Sequence, residues 1–334
     1  MNKSMDLDQM YDIGKISLSS FIPDGELTVK LLEYLSFNEY LNLNRQCSHQ
    51  DCNSDMKMYT SKKYKDGYEL RCTKHQNKRE SIRKGSFFEG MKLPITTIMY
   101  IINHLSAECT TTSIKRLIDK DKPIYRETIT SILTRLQHLM KEYNDNNQPQ
   151  WDENDVIEID EMWVKWHDPG ERVGTGNETD NKSPVKPDRG KWLLGLINRT
   201  RTKVQIVSLS DRKKTSIQEV LKDVLPSQNM TIMTDALASY NFFDDENAHF
   251  VINKRWGFAR NSYRLCMDRE PENILRIHVN TIENNWKQLR HTLVVRSAYT
   301  QPHMVMNHVH EYVYNFYHLN WFNLIKIKNL LKSC

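Results

Sequence analysis

The carboxyl-terminal half of the chain alternates short apolar runs with amphipathic stretches. Apolar runs with strand character lie at Val156 to Ile159, Trp192 to Ile197, Val204 to Leu209, Met230 to Met233 and Phe250 to Ile252. The polar stretch 198–202 predicts a hairpin between the second and third runs, and apolar positions at helical spacing predict helices after the third run and near residue 286. The order of elements predicts an α/β, ribonuclease-H-like fold in which a mixed central sheet is flanked by helices.

The amino-terminal half has a different pattern. A short helix is predicted around Leu31 to Leu35, and the polar, lysine-rich segment 44–80 predicts short strands rather than a packed core. Pro94 is placed to open a helix, and a third helix starts near Arg126. Between them, the cluster Thr110, Thr111 and Thr112 could cap a second helix. Three short helices fit a helix-turn-helix DNA reader, and a plain helical linker fits the spacing equally well.

Composition narrows the class of protein. The 334 residues are 39% hydrophobic and 27% charged, with a formal net charge of +5, which fits a nucleic-acid partner but is shared by many proteins. No run approaches the roughly 18 apolar residues of a membrane span, so no membrane partner is expected. The first residues lack the basic start and apolar run of a secretory signal, so we expect a reducing, intracellular compartment.

Cysteine spacing indicates a metal site. Cys47 and Cys52 are separated by four residues, and Cys72 and His75 by two. Two such pairs, with roughly twenty residues between them, suit a closed tetrahedral zinc site, with His49 as an alternative fourth ligand. A set of reduced thiols with an exposed histidine is the competing interpretation. Nearby lysines and arginines are candidates for phosphate contacts or for a merely solvated surface.

Three acidic residues form the candidate catalytic site. Asp160 and Asp235 are each predicted at the end of an apolar strand, where ligands of α/β sheets gather, and Glu283 lies on a helix. Carboxylates of this kind suit magnesium, which prefers oxygen ligands. Lys287 and Arg290 fall on the same helical edge as Glu283 and could hold DNA phosphates. Taken singly, each acid could equally be a solvated surface group, and Glu283 with Lys287 an ordinary ion pair.

Four segments resemble the Merlin and ISXO-like DDE transposases. They are Glu158-Ile159-Asp160-Glu161, Thr234-Asp235-Ala236 with Tyr240, Asn280-Thr281-Ile282-Glu283 with Trp286, and Phe87-Phe88-Glu89-Gly90 followed by Lys92-Leu93-Pro94. The resemblance spans most of residues 44–320. It implies Asp160, Asp235 and Glu283 as the catalytic triad, Mg²⁺ or Mn²⁺ as cofactor, and a zinc ribbon around Cys47. The family often has lysine where Arg290 stands, which keeps the charge but changes how phosphate is held.

The resulting hypothesis is a DNA transposase with four regions. Residues 1–43 form a helical extension, 44–90 a zinc-ribbon-like region, 91–145 a helical DNA-binding region and 150–325 the catalytic domain, in which 167–189 is an irregular insertion. A transposon-derived DNA-binding protein without catalysis, or another ribonuclease-H-like nuclease, are the alternatives. The resemblance further implies DNA ends and target DNA as partners, at least a homodimer on DNA, and a nuclear location in a eukaryote or a cytoplasmic one in a bacterium.

Overall fold

The computed structural model describes ten stretches of the chain, which form two units. The stretches are 21–22, 25–49, 51–119, 123–165, 190–225, 230–243, 248–253, 260–261, 276–296 and 304–331, so the predicted insertion 167–189 lies outside them. The first unit comprises Met1–Leu139 and Leu319–Cys334, and the second comprises Met140–His318.

The first unit combines a small sheet with helices. Its helices are α1 (Val29–Phe37), α2 (Ile95–Ser106), α3 (Thr111–Ile118), most of α4 (Arg126–Asn146) and α8 (Trp321–Leu331). The Thr28 hydroxyl caps α1 by accepting from the N–H of Leu31. A cap from the threonine cluster is confirmed for α3, where the cap residue is Thr110, whose hydroxyl accepts from the N–H of Ser113. Strands β1 (Met56–Thr60), β2 (Tyr68–Cys72) and β3 (Arg79–Ser81) form an antiparallel sheet in that order.

The second unit is built on a five-stranded mixed sheet. Its strands are β4 (Val156–Lys165), β5 (Gly190–Asn198), β6 (Val204–Leu209), β7 (Thr231–Asp235) and β8 (Ala248–Ile252), in the spatial order β6-β5-β4-β7-β8. β4, β5 and β6 are antiparallel, whereas β4, β7 and β8 are parallel. The predicted strands and the hairpin between β5 and β6 are therefore confirmed, as is the α/β class with a mixed sheet.

Helices cover both faces of this sheet. α6 (Asn280–Val295) and α7 (Val305–Phe316) pack on one face, and α5 (Lys214–Val224) packs on the other with a short 3-10 turn at Ala238–Tyr240. A further two-stranded ribbon joins β9 (Arg260–Asn261) to β10 (Arg276–Ile277). The apolar side of α6 is buried as predicted, through Ile282, Trp286, Leu289 and Leu293. Burial of each such side chain contributes about 1.5–3 kcal/mol.

The central strand β4 is longer than its apolar run. The prediction that it ends at Asp160 is wrong, because the strand continues to Lys165. Residues beyond Asp160 pair antiparallel with β5, with Trp163 opposite Trp192. The polar residues in this stretch are retained in the strand because their backbone is paired and their side chains find partners in the second unit.

Candidate functional site

A turn in the first unit presents two of the candidate metal ligands. Cys47 follows the isolated bridge between Gln46 and Asp55, and its N–H donates to the carbonyl of Ser54 at 2.9 Å. This closes a turn that carries Cys52, and both cysteines are buried. Thiols held on one tight turn can approach a common point.

A second turn presents the other two ligands. Cys72 is the last residue of β2, and the N–H of Lys78 donates to the carbonyl of His75 at 2.8 Å, closing the turn toward β3. The antiparallel register of β1 and β2 places Cys72 opposite Met56. Because β1 begins just after the first turn, this register brings the two turns together.

The four ligand atoms form one compact group. The sulfur atoms and ring nitrogen of Cys47, Cys52, Cys72 and His75 all lie within 4.8 Å of one another. The two sulfurs of Cys52 and Cys72 are 3.7 Å apart, and Nδ1 of His75 is 3.1 Å from the sulfur of Cys52 and 3.9 Å from that of Cys72. Ligands about 2.3 Å from a central zinc ion in a tetrahedron would be separated by about 3.8 Å. The residues therefore fit a zinc ion, and the group could hold one.

The thiols of this group differ in their acidity. The backbone hydrogen bond from Ser54 has the largest influence on Cys52 and helps to lower its pKa to about 6. A backbone hydrogen bond from His49 lowers the pKa of Cys47, but burial and the neighbouring thiols outweigh it and raise that pKa. Thiolate is the form that binds metal, so Cys52 is better prepared for coordination than Cys47.

His49, the alternative fourth ligand, does not belong to the ligand group. Its ring stacks on the ring of His75, with centroids 4.8 Å apart and planes 15° apart. The compact group contains His75 and not His49. The fourth ligand position thus falls to His75, and His49 packs against that ligand.

The candidate catalytic acids lie in the second unit, where β4 presents acidic residues to α6. Alternate residues of a strand point to opposite faces of the sheet. Met162 of β4 belongs to the core beneath α6, whereas Ile157 and Ile159 belong to the core beneath α5. Glu158 and Asp160 share the parity of Met162 and therefore lie on the α6 face.

Glu158 holds the amino terminus of α6. Its carboxylate accepts hydrogen bonds from the N–H groups of Thr281 and Ile282, at 2.8 and 3.1 Å, and from the Thr281 hydroxyl at 2.8 Å. The first N–H groups of a helix have no partner within the helix and favour negative charge. Glu158, which is fully buried, supplies that charge from another element.

Asp160 makes the next contact along the same strand and helix. Its Oδ2 accepts a hydrogen bond from the indole Nε1 of Trp286 at 3.1 Å. The ring of Trp286 lies over Gly195, the residue paired with Asp160 in β5, and a Cβ at that position would come within 2.4 Å of the ring. Glycine at 195 is therefore required for the indole to reach Asp160.

Asp235 lies on the neighbouring parallel strand. The pairing of β4 with β7 ends at Glu158 and Met233, and Asp160 and Asp235 are the next residues of the same parity on each strand. Met233 is buried in the core beneath α6, so Asp235 faces that side too. Its Oδ1 accepts from the N–H of Leu237 at 3.0 Å, which fixes the chain as it leaves β7. The two aspartates therefore lie just beyond the last paired residues of β4 and β7.

Glu283 lies in the first turn of α6, between the two contacts with β4. It follows the helix residues that Glu158 holds and precedes Trp286 by three positions, which makes it a neighbour of that ring on the helix surface. It is half-buried. The docking of α6 on β4 therefore sets the position of Glu283 relative to Asp160.

The three acids share a face without forming a compact ligand group. Across the described residues, the group of Cys47, Cys52, Cys72 and His75 is the one set of three or more metal-ligand residues within 4.8 Å of one another. Asp160, Asp235 and Glu283 are therefore not gathered to that spacing. Sharing one ion would require their side chains to approach one another.

The two candidate phosphate-binding cations are exposed. Lys287 and Arg290 lie four and seven residues beyond Glu283 on α6, as the helical spacing requires, and both side chains face solvent. They are therefore accessible along the helical edge that begins at Glu283.

A buried hydrogen-bond network around Glu161 lies on the face of β4 opposite Asp160. Glu161 accepts hydrogen bonds from the Tyr240 hydroxyl and, at 3.0 Å, from Arg212. Burial raises the pKa of Glu161, and burial together with the Glu161 charge raises the pKa of Tyr240 well above its ordinary value. The negative charges of Asp235 and Asp160 also act on Tyr240, so the network and the acids are electrostatically connected.

The roles of Glu158, Glu161 and Gly195 were not predicted from the sequence. The available signal was the presence of three acids, Glu158, Asp160 and Glu161, within an otherwise apolar run, because charges on a buried strand require partners. The partners come from α6, from Arg212 before α5 and from Tyr240 after β7, all more than 50 residues away in sequence.

Comparison of the chain with protein-family models, with curated proteins and with solved structures finds no match in any of the three. Among the described helices, none combines the length and the apolar character needed to cross a bilayer.

Proposed function

We propose that this protein is a metal-dependent DNA transposase that cleaves DNA at transposon ends and joins them to target DNA. The observation that carries the proposal is the docking of α6 on β4. Glu158 holds the first turn of that helix and Asp160 holds Trp286. Glu283 is thereby fixed on the face of the sheet that also carries Asp235.

The strand order supports a ribonuclease-H-like catalytic domain. Three antiparallel strands are followed by two parallel ones, and β4 at the centre carries the first acid. The second acid ends the adjacent strand β7, and the third lies on a helix that covers the same face. This is the arrangement that the resemblance to DDE transposases implies for the triad.

The donor chemistry of the three acids fits magnesium or manganese, which prefer carboxylate oxygens. When bound, such ions would activate water or a DNA 3′-hydroxyl and stabilise the leaving oxygen at a phosphodiester. Asp160, Asp235 and Glu283 would hold the ions. Trp286 orients Asp160, while Lys287 and Arg290 bind and orient the DNA phosphates by charge.

For the first unit, we propose a structural zinc ion in a zinc-ribbon-like region. The four donors at tetrahedral spacing support this, together with the small apolar content of the segment. The three helices α2, α3 and α4 would then assist in recognition of the transposon ends. The protein would act on DNA as a homo-oligomer.

One observation favours a second candidate, a transposon-derived DNA-binding protein without catalysis. The three acids are not within 4.8 Å of one another among the described residues. The two candidates differ in whether a divalent ion can draw the acids together. A measurement of divalent-ion-dependent cleavage therefore separates them.

The experiment uses the full chain and a plasmid carrying the DNA repeats that flank its gene. Nicking and strand transfer are measured with Mg²⁺ or Mn²⁺ for the wild-type protein and for Asp160→Asn, Asp235→Asn and Glu283→Gln. Each substitution should reduce the rate by at least about 100-fold, comparable with removal of one key electrostatic contact at an active site. Asp223→Asn and Glu219→Gln, at exposed positions of α5, make the same chemical changes and should leave the rate unaltered.

The outcome distinguishes the candidates. Metal-dependent cleavage that is lost in the three variants and kept in the controls supports the transposase. Specific binding of the repeats with no cleavage under any of these metal conditions supports the inactive DNA-binding protein and overturns the catalytic proposal.

A further inference from the structure

A cavity of about 680 Å³ lies in the first unit, beside the Cys/His group. Its walls are the loop between β1 and β2, strand β3, and the segment 89–92. Its volume is within the roughly 300–1,000 Å³ typical of small-ligand sites. A double helix is too wide to enter such a space, whereas a single nucleotide is of suitable size.

The acidic side chains of the cavity wall each have a hydrogen-bond or ion-pair partner within the first unit. Asp66 binds the guanidinium of Arg83 at 2.5 and 2.6 Å, and that arginine also donates to two backbone carbonyls. Glu80 binds Lys84 at 2.5 Å, and Glu89 accepts from the N–H of Gly85 at 2.8 Å. The two ion pairs neutralise Asp66 and Glu80, and the hydrogen bond from Gly85 holds Glu89 in the wall.

Four lysines of the wall remain for a ligand. Lys63, Lys65, Lys78 and Lys92 are exposed and have no ion-pair partner within the described part of the chain. Their positions on three separate segments surround the opening. An anionic group entering the cavity would meet these positive charges at its opening.

The same opening carries an aromatic ring. Tyr64 lines the cavity between Lys63 and Lys65 and is half-buried, and the ammonium of Lys63 lies 5.5 Å from its ring centroid. The turn that bears it is closed by the N–H of Gly67 on the carbonyl of Tyr64 at 3.0 Å. Cations beside a presented aromatic face are the combination that holds single-stranded nucleic acid.

We propose that this cavity binds an unpaired nucleotide of a DNA strand. The phosphates contact Lys65 and Lys78, and the base stacks on Tyr64. The choice of DNA rests on the proposed function, whereas the preference for an unpaired nucleotide rests on the cavity's volume, charge and aromatic ring. The site lies within the first unit and is separate from the three acids of the second.

The test measures the binding of a fluorescein-labelled single-stranded DNA by the full chain, across a series of salt concentrations. The chain carries Asp160→Asn and Asp235→Asn, and magnesium is omitted, so binding is read without cleavage. Substitution of Lys65 and Lys78 by glutamine should reduce the slope of log affinity against log salt by about 1.4, the value for two lost contacts with single-strand phosphates. Lys57→Gln with Lys62→Gln, two exposed lysines outside the cavity wall, is the matched control and should keep the slope.

Tyr64 provides a second, independent measurement. Tyr64→Leu should weaken single-strand binding by about 5- to 150-fold, the range for loss of one base-stacking contact, whereas Tyr64→Phe should keep the affinity. Three results would overturn the proposal. The slope could fall equally in the two lysine double variants, or Tyr64→Leu could have no effect. The protein could also bind duplex DNA or RNA more tightly than single-stranded DNA. Since no cleavage is read, these results are independent of whether the wild-type chain is a transposase.

Discussion

The indole nitrogen of Trp286 lies 3.1 Å from Oδ2 of Asp160, and this hydrogen bond ties α6 to the central strand of the second unit. The contact lies one helical turn beyond the point where Glu158 binds the start of the same helix. Two carboxylates two residues apart on one strand thus fix both the position and the rotation of α6. The orientation of Glu283 follows from these contacts.

Trp286→Phe tests the strength of this tie, since it removes the donor and keeps most of the ring. A buried carboxylate oxygen then loses a hydrogen bond, which should lower the free energy of unfolding by about 1–3 kcal/mol. Urea unfolding of the two proteins measures the difference. Trp192→Phe, on the opposite face, removes no buried hydrogen bond to a carboxylate; it weakens the contacts of the ring with Arg212 at 4.6 Å and with Trp163 at 5.0 Å and should cost about 0.5–1 kcal/mol. Equal costs would show that the hydrogen bond does not hold the helix.

Gly195→Ala tests whether the space above β5 is needed for the indole. The added Cβ would lie 2.4 Å from the Trp286 ring, so the ring must move, at a cost of about 1–3 kcal/mol for overpacking. Trp286→Phe has a smaller ring and should tolerate the same alanine better. A double-mutant cycle measured by urea unfolding should therefore give a coupling of at least about 0.5 kcal/mol between positions 195 and 286. Additive costs would contradict the packing described for this pair.

The elements governed by local patterning could be predicted from the sequence. The apolar runs of β5, β6 and β7 alternate against polar turns, and the buried stripe of α6 repeats at helical spacing, so each is visible within a short window. The Thr110 cap is equally local, because a hydroxyl and the N–H three residues later decide it.

The contacts that assemble the candidate catalytic site could not be predicted in this way. Glu158 and the helix residues it binds are more than 120 positions apart. Gly195 is informative only once the pairing of β4 with β5 is known, since its role is to leave room for Trp286. The full length of β4 was missed for a related reason, because backbone pairing with β5 outweighs the polar character of Glu161.

The existence of the Cys/His group could be predicted from the sequence, but the identity of its histidine could not. Spacing identifies two pairs of ligands, while the choice between His49 and His75 depends on the turn after β2. The histidine outside the group, His49, stacks on the ring of His75.

Cys52→Ser is predicted to abolish zinc binding in the first unit. The purified chain should contain about one zinc ion, because four donors at tetrahedral spacing close a structural site. Elemental analysis of the variant should show less than a tenth of that content, and its first unit should lose protection from protease because metal binding and folding are coupled. Cys109→Ser, which makes the same chemical change at a cysteine outside the group, should keep the metal and the protection. Zinc retained by the Cys52 variant would contradict the assignment of this ligand.

His249 is predicted to make the second unit less stable in mild acid. Its Nε2 lies 2.9 Å from the Thr234 hydroxyl, and burial lowers its pKa from 6.5 to about 4. The folded state keeps this imidazole neutral while the unfolded chain takes up a proton, so its contribution is complete above pH 6.5 and is lost as the pH falls toward 4. Urea unfolding at several pH values should therefore show a shallower decline between pH 6.5 and 4 for His249→Gln than for the wild type. His138→Gln, at an exposed position of α4, should follow the wild-type curve, and an unchanged decline in His249→Gln would mean that another group is responsible.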